Sequence, residues 1–372
     1  MPAEALADFR AAPQGDNFSL GPVRCNCSGA ASDDPAKWIT IRNDPSDPSP
    51  GPTLTNNSLT TVNSPELTGY QSFNGTFYDM TAWQGDHVSL LVPVEAELDP
   101  QVMANLLTAI DRGWEYYASI TGREPTPHYT YGGRGTIAVV QETCGAGCAF
   151  LGLTGIEIIY DFFGAGLEGP FPWVVGIYDD MAENLRVQQI VFYELGRNFW
   201  FYGNQLGDWG FTTGFAVVNR YYAMQNTGFT VAEDEGRFYH EEQLPVVAAT
   251  YFQDDALSAE NTLAVYSGVT NPTGFNGVAD LSASLLRIFR EHAGASDYAS
   301  FWQSLVSAPS AITSSDSFAN FTATAEQVSF FDFSFLFKTG WSFQVGSGEG
   351  DEILAGAEPA GRKAVLGFGG DD

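Results

Sequence analysis

The sequence predicts an α+β protein: a β-rich N-terminal module (residues 1–95), an α/β core (96–230), a mainly helical C-terminal section (231–345) and a Gly/acid-rich tail (346–372). Three observations carry this expectation. Short alternating apolar stretches lie among Pro, Gly, Ser, Thr and Asn before residue 95, and apolar residues at helical spacing follow Asp99-Pro100. The stretch Val191–Tyr202, VFYELGRNFWFY, reads as a buried helix that sets one carboxylate, Glu194, among aromatic side chains.

Within the first module, Trp38–Ile41 and Val88–Val92 read as strands, with the loop DPSDPSPGP between them. Asp99 then serves as an N-cap and Pro100 as the first helical residue, since neither Pro nor the first turn has an intrahelical N–H bond to lose. Met103, Leu106, Leu107, Ile110, Trp114 and Tyr117 share one face of that helix, and Gly122 closes it. A Gly-rich turn, Gly132–Gly135, leads into a strand over Thr136–Gln141 and reads as a turn, because no Lys and no helix follow it to cradle a phosphate. A second strand covers Gly155–Tyr160. Helices are expected over Asp180–Phe201, Phe211–Gln225, Asp280–His292 and Asp297–Leu305, before an aromatic segment at Val328–Phe343.

The charge balance excludes whole classes of partner. Only 16 Lys and Arg stand against 45 Asp and Glu, a formal charge of −29. Nucleic acid and anionic membranes need basic patches, so neither is expected as a partner. No run approaches the roughly 18 apolar residues of a membrane span. The first residues, MPAEALADFRAAPQGDNF, show no apolar signal-peptide core. The cysteines fall in two close pairs, Cys25/Cys27 and Cys144/Cys148. C-x-C with C-x3-C fits a four-cysteine zinc site poorly, so disulfides in an exported protein are expected, with the connectivity open.

Tyr193-Glu-Leu-Gly-Arg-Asn198 resembles the H-E-L-G-H-N helix of the gluzincin-type metallopeptidases, and Thr213-Gly-Phe-Ala resembles an E-G-F-A segment on their next helix. The ending DFSFLFKTGWSF is similar to one shared by some of these families. The resemblance covers about residues 85–345 and implies a zincin-like core.

It also implies where the chemistry departs. In such enzymes two imidazoles at i and i+4 offer neutral nitrogen lone pairs to zinc, and the Glu between them acts as general base on a metal-bound water. Here Tyr193 and Arg197 stand at those positions. A guanidinium offers no lone pair, and a phenol ionises only near pH 10. No Asp or Glu lies between Asp208 and Glu233, which leaves Thr213 or Ala216 where the third ligand belongs. The four histidines, His87, His128, His240 and His292, suggest no cluster. A zinc site is therefore not expected. Tyr193, Arg197, Asn198 and Thr213 are the residues of a degenerate site, in which Arg197 would neutralise Glu194. An alternative pairs Glu194 with Asp208 or Glu157 for glycosidic cleavage, with the aromatic surround stacking on sugar rings.

The tail resembles the calcium-binding nonapeptide repeat of RTX proteins over Gly348–Leu354 and Gly367–Asp372. That resemblance implies calcium held by Asp351, Glu352, Asp371 and Asp372, and a bacterial protein exported through a C-terminal signal. Together these features point to an exported, non-catalytic metallopeptidase-like protein that binds an extracellular protein or glycan. The competing expectation is a secreted hydrolase using Glu194.

Overall fold

The computed structural model describes residues 19–26, 65–171, 173–207, 210–232, 237–265, 278–338, 342–345, 352–356 and 363–369, the first and the last three of these as backbone alone. The elements run in the order β1 (Ser19–Asn26), β2 (Glu66–Gln71), β3 (Phe77–Gln84), β4 (Val88–Pro93), α1 (Pro100–Thr121), β5 (Thr130–Tyr131), β6 (Arg134–Val140), β7 (Gly147–Ala149) and β8 (Ile156–Ile159). After them come α2 (Ile177–Asn184), β9 (Arg186–Val187), α3 (Gln189–Asn198), α4 (Phe211–Asn226), β10 (Thr230–Val231), α5 (Leu244–Gln253), α6 (Val278–Leu305), α7 (Ser314–Ser329), β11 (Ser342–Val345), β12 (Glu352–Gly356) and β13 (Lys363–Gly369). The chain is mixed α and β, with a sheet toward its N-terminus and a helical C-terminal region, and it divides into two compact units.

One unit comprises residues 50–201 and 219–237. Its sheet runs β2-β3-β4-β6-β8-β7, with β5 pairing off β6. The central strands β4 and β6 pair in parallel, as do β6 and β8, and they are apolar and buried because both faces of the sheet are covered. On one face Tyr70, Met80, Ala82, Leu91, Ala138 and Val140 make a core with Tyr78, Tyr129 and Tyr131 over it. On the other, α1 packs against β4, and α3 packs against β7 and β8 and against α1 itself.

α1 begins as its sequence demands. Asp99 accepts from the backbone N–H of Gln101 (2.7 Å) and Val102 (3.1 Å), and Gly122 closes the helix in the left-handed region at φ 67°. Gly113 is where α3 meets α1, because a Cβ there would stand 2.7 Å from the Phe192 ring. Beside it Tyr117 donates its hydroxyl to the Phe192 carbonyl at 2.8 Å. These contacts fix the depth and rotation of the helix that carries Glu194.

The second unit comprises residues 1–49, 202–218 and 238–372. A π-helical turn at Tyr239–Gln243 runs into α5, and α6 and α7 follow. Phe289 gathers the rings of Phe301 (4.8 Å), Phe321 (5.3 Å) and Phe333 (4.7 Å), while Phe215 and Tyr202 close on Trp302 at 4.7 and 4.8 Å. Within the aromatic C-terminal segment Phe333, Phe335, Leu336 and Phe337 are core, while Phe330 is exposed. Thr313 and Asp316 form a capping box at the start of α7. Strand β1 joins β13, β12 and β11 in an antiparallel sheet.

One expectation changes, that of a single helix over Asp180–Phe201. The N-terminal strands β2, β3 and β4 form a sheet that continues through the parallel pairing of β4 with β6, beyond α1. The single helix expected over Asp180–Phe201 is two helices, broken at Leu185, whose φ is 52°. The buried Asp180 carboxylate holds that break by accepting from Asn184 Nδ2 (2.8 Å), Arg186 Nε (2.9 Å) and Gln188 Nε2 (2.6 Å). In the tail, β12 and β13 pair antiparallel with each other. Glu352 opens β12 opposite Gly367, and Asp351, Asp371 and Asp372 lie outside the described residues, as does the strand expected at Trp38–Ile41. The separation of the helices at Asp280–His292 and Asp297–Leu305 survives as a break at Gly294 inside α6.

Candidate functional site

The site is built on α3, QIVFYELGRN, whose inward face carries Ile190, Val191, Phe192, Glu194, Leu195, Gly196 and Asn198. Gln189, Tyr193 and Arg197, four residues apart, form a half-buried stripe along the same helix. Asn198 ties the helix end to the β7–β8 connection by donating Nδ2 to the carbonyls of Phe150 (2.9 Å) and Gly155 (3.2 Å). The ELGRN sequence is therefore locked in place by its last residue.

Glu194 is 4% exposed, and no described residue donates a hydrogen bond to its carboxyl. Its Oε1 lies against β7, where Gly147 leaves just enough room: a Cβ on Gly147 would fall 2.6 Å from that oxygen. Burial pushes the Glu194 carboxyl up to about 8 from an ordinary 4.5, and the Arg197 charge pulls back only part of the way. The carboxyl thus keeps its proton at neutral pH. The Arg197 charge acts on Glu194 from the half-buried stripe, while the Glu194 side chain points inward.

On the stripe, the Arg220 guanidinium of α4 stands over the Tyr193 ring, 6.0 Å from its centroid, and donates to Gln189 Oε1. Asn219, one residue earlier, accepts from Tyr116 on α1 at 2.9 Å. Sequence reasoning missed Arg220, although the signal was present: it is the one charged residue in the otherwise uncharged α4. Thr213 occupies the first turn of α4 and belongs to the other compact unit, whereas Tyr193, Glu194, Arg197 and Asn198 come together on α3.

The paired-carboxylate arrangement is not assembled with Glu157. Cross-strand neighbours share a face, and Glu157 pairs with Cys148 while its neighbour Ile158 pairs with Gly147, which faces Glu194. Glu157 therefore points away from α3, toward the opposite core. There it accepts from Tyr70 Oη (2.9 Å), the Phe73 N–H (2.7 Å) and Thr143 Oγ1 (2.7 Å). Asp208 lies outside the described residues. Of the aromatic surround, Phe192, Phe199, Trp200 and Tyr202 are core: Phe199 sits between Trp114 (5.0 Å) and Tyr117 (5.5 Å), whereas the half-buried Phe201 lies under the Arg123 guanidinium at 4.4 Å.

Cys144 and Cys148 are joined as a disulfide with Cα atoms 5.5 Å apart. Cys25 lies in β1 and Cys27 outside the described residues. The histidines are dispersed: His87 pairs with Glu115 at 3.5 Å, His128 packs on Tyr129 and Phe150, His240 is buried, and His292 lies against Phe331 and Phe333. Among the described residues no three His, Cys, Asp or Glu side chains gather as a metal-ligand group. Zinc does not fit this donor set, in which α3 offers one protonated carboxyl, one phenol and one guanidinium, and α4 adds the Arg220 guanidinium, in place of neutral nitrogens.

No protein-family sequence model and no curated protein matches the chain. Among solved structures, it is similar to a mutant M1 zinc metallopeptidase from Deinococcus radiodurans bound to a Tyr-Ser-Ala substrate, with a TM-score of 0.34 and 12% identity over 74% of this chain and 51% of that one. The same mutant enzyme from that organism, in a second structure, matches with a TM-score of 0.34 and 12% identity over 72% of this chain and 51% of that one. The chain thus spans about half the length of the enzyme structures it matches.

Proposed function

We propose that this chain is an exported, non-catalytic protein on a metallopeptidase-like scaffold, which binds an extracellular protein or glycan. One observation carries the reading. The helix positions that would have to offer nitrogen lone pairs hold Tyr193 and Arg197, and Arg220 brings a second guanidinium to the same stripe. Guanidinium groups and a phenol offer a divalent metal no neutral nitrogen lone pair, so the scaffold keeps its shape without the metal chemistry. Calcium belongs to the same reading through the acids of the tail, Asp351, Glu352, Asp371 and Asp372, which have the hard oxygen donors that calcium takes. A calorimetric titration with calcium that releases no heat removes that part.

The test of the main reading is elemental analysis of the purified protein together with peptidase and glycosidase assays on wild type and Glu194→Gln. The expected result is no stoichiometric zinc and no hydrolysis that the substitution abolishes. Stoichiometric zinc that is lost in Tyr193→Phe overturns the reading. A second reading, a hydrolase, is favoured by the buried Glu194 carboxyl, since a group pushed up to about 8 is poised to give and take a proton near neutrality. Hydrolysis that disappears in Glu194→Gln, with a wild-type pH profile that turns near 8, selects it over the first.

A further inference from the structure

The element over the Glu194 carboxyl is β7, three residues long and at the edge of the sheet. So short an edge strand has few ladder bonds: among the described residues β7 pairs with β8 alone, and the Ala146 carbonyl accepts from the Ile159 N–H at 3.1 Å. The Cys144–Cys148 disulfide closes a tight loop around this residue, with Gly147 inside it. Gly147 lies in closest approach to Glu194: a Cβ there would stand 2.6, 2.9 and 3.1 Å from its Oε1, Cγ and Cδ. We propose that the Cys144–Cys148 disulfide is a redox latch that holds Gly147 as a lid over the Glu194 carboxyl, and that reduction by a dithiol opens that carboxyl to water.

Access favours one direction of attack. Cys144 is exposed and Cys148 half-buried. A dithiol's thiolate attacks Cys144 Sγ, the Sγ–Sγ bond breaks, and Cys148 leaves as a thiolate that takes a proton. The reductant's second thiol then displaces Cys144 from the mixed disulfide. Two electrons pass from the dithiol, which becomes a cyclic disulfide, and the protein gains two thiols. With the covalent tie gone, β7 depends on its few hydrogen bonds, and water reaches the carboxyl when it lifts.

The charged groups around Glu194 make its ionisation a clean reporter. On α3 the charge acting on it is Arg197, with the Tyr193 phenol on the stripe and Arg220 of α4 beyond that ring. β7 carries no charged residue, and Glu157 of β8 points to the opposite face. On α1, Asp111 accepts from the Asp86, His87 and Val88 N–H groups, Arg112 donates to the Thr227 carbonyl, and Glu115 pairs with His87. Burial is therefore the main force on Glu194, and burial is what the lid supplies.

The inference holds whether or not Glu194 acts on a ligand. Its test is a carboxyl-carbon NMR titration of glutamate-labelled full-length protein, with Glu194→Gln assigning the resonance. Oxidised protein, protein in dithiothreitol and the Cys144→Ser/Cys148→Ser variant are compared. The oxidised form should titrate near 8, and both other forms at least about one pH unit lower, toward 4.5. An unchanged midpoint with both thiols shown to be free overturns the latch. So does global unfolding on reduction, seen as loss of near-ultraviolet circular dichroism, because the bond would then hold the fold and not a lid.

Discussion

Replacing Glu194 by Gln keeps the shape of a protonated carboxyl and removes its ability to ionise, so it isolates the cost of burying this group. Wild-type Glu194 ionises at about 8 in the folded chain and at an ordinary 4.5 when unfolded. Between those values the folded state holds a proton that the unfolded state has lost, so folding stability falls as pH rises. The contribution is fully present below pH 4.5 and fully lost above about 8. At about 1.36 kcal/mol per pH unit, the span from 4.5 to about 8 corresponds to roughly 5 kcal/mol, of which about 3 kcal/mol is already lost at pH 7. Urea unfolding of wild type and Glu194→Gln at pH 5, 7 and 9 measures this as a difference that grows in favour of the variant. A difference that does not vary with pH refutes the claim that burial governs Glu194.

Further substitutions probe the elements that place the site. Arg197→Ala removes the charge that favours the Glu194 carboxylate, so the NMR midpoint of Glu194 should rise above about 8; a fall would mean that Arg197 acts by shielding the group. Asp111→Ala strands the three backbone N–H groups of residues 86–88 and should cost about 3 kcal/mol or more in urea unfolding, with Asp111→Asn milder because one acceptor oxygen stays. Thr313→Ala breaks the capping box of α7 and should lower stability by about 1 kcal/mol, read from the same transition. Burial holds His292 down at about 4 against an ordinary 6.5, so in that window the unfolded chain binds the proton first and stability falls as pH falls. Unfolding between pH 7 and 4 should show roughly 3 kcal/mol of loss that is absent in His292→Gln.

Local signals in the chain were sufficient for α1 and α4 and for the inward position of Glu194, but not for α5 and α7. Asp99, Pro100 and Gly122 bound α1 because capping involves only the nearest backbone groups, and the spacing of Met103 to Tyr117 sets its buried face. The same short-range logic puts Tyr193 and Arg197 on one stripe and makes them poor metal ligands wherever the helix lies. Pairings between distant segments were not legible. Only the β4–β6 ladder continues the sheet of β2, β3 and β4 beyond α1, and only the Asp180 contacts explain why the helix expected over Asp180–Phe201 stops at Leu185. The environment of Glu194 belongs to this second kind. The contact of Gly113 with Phe192 sets the depth of α3, the register of β7 on β8 lays Gly147 over the carboxyl and turns Glu157 away, and α4 brings Arg220 to Tyr193. A sequence states which groups can ionise, but desolvation depends on what stands within a few ångströms, and here those atoms come from residues far apart in the chain.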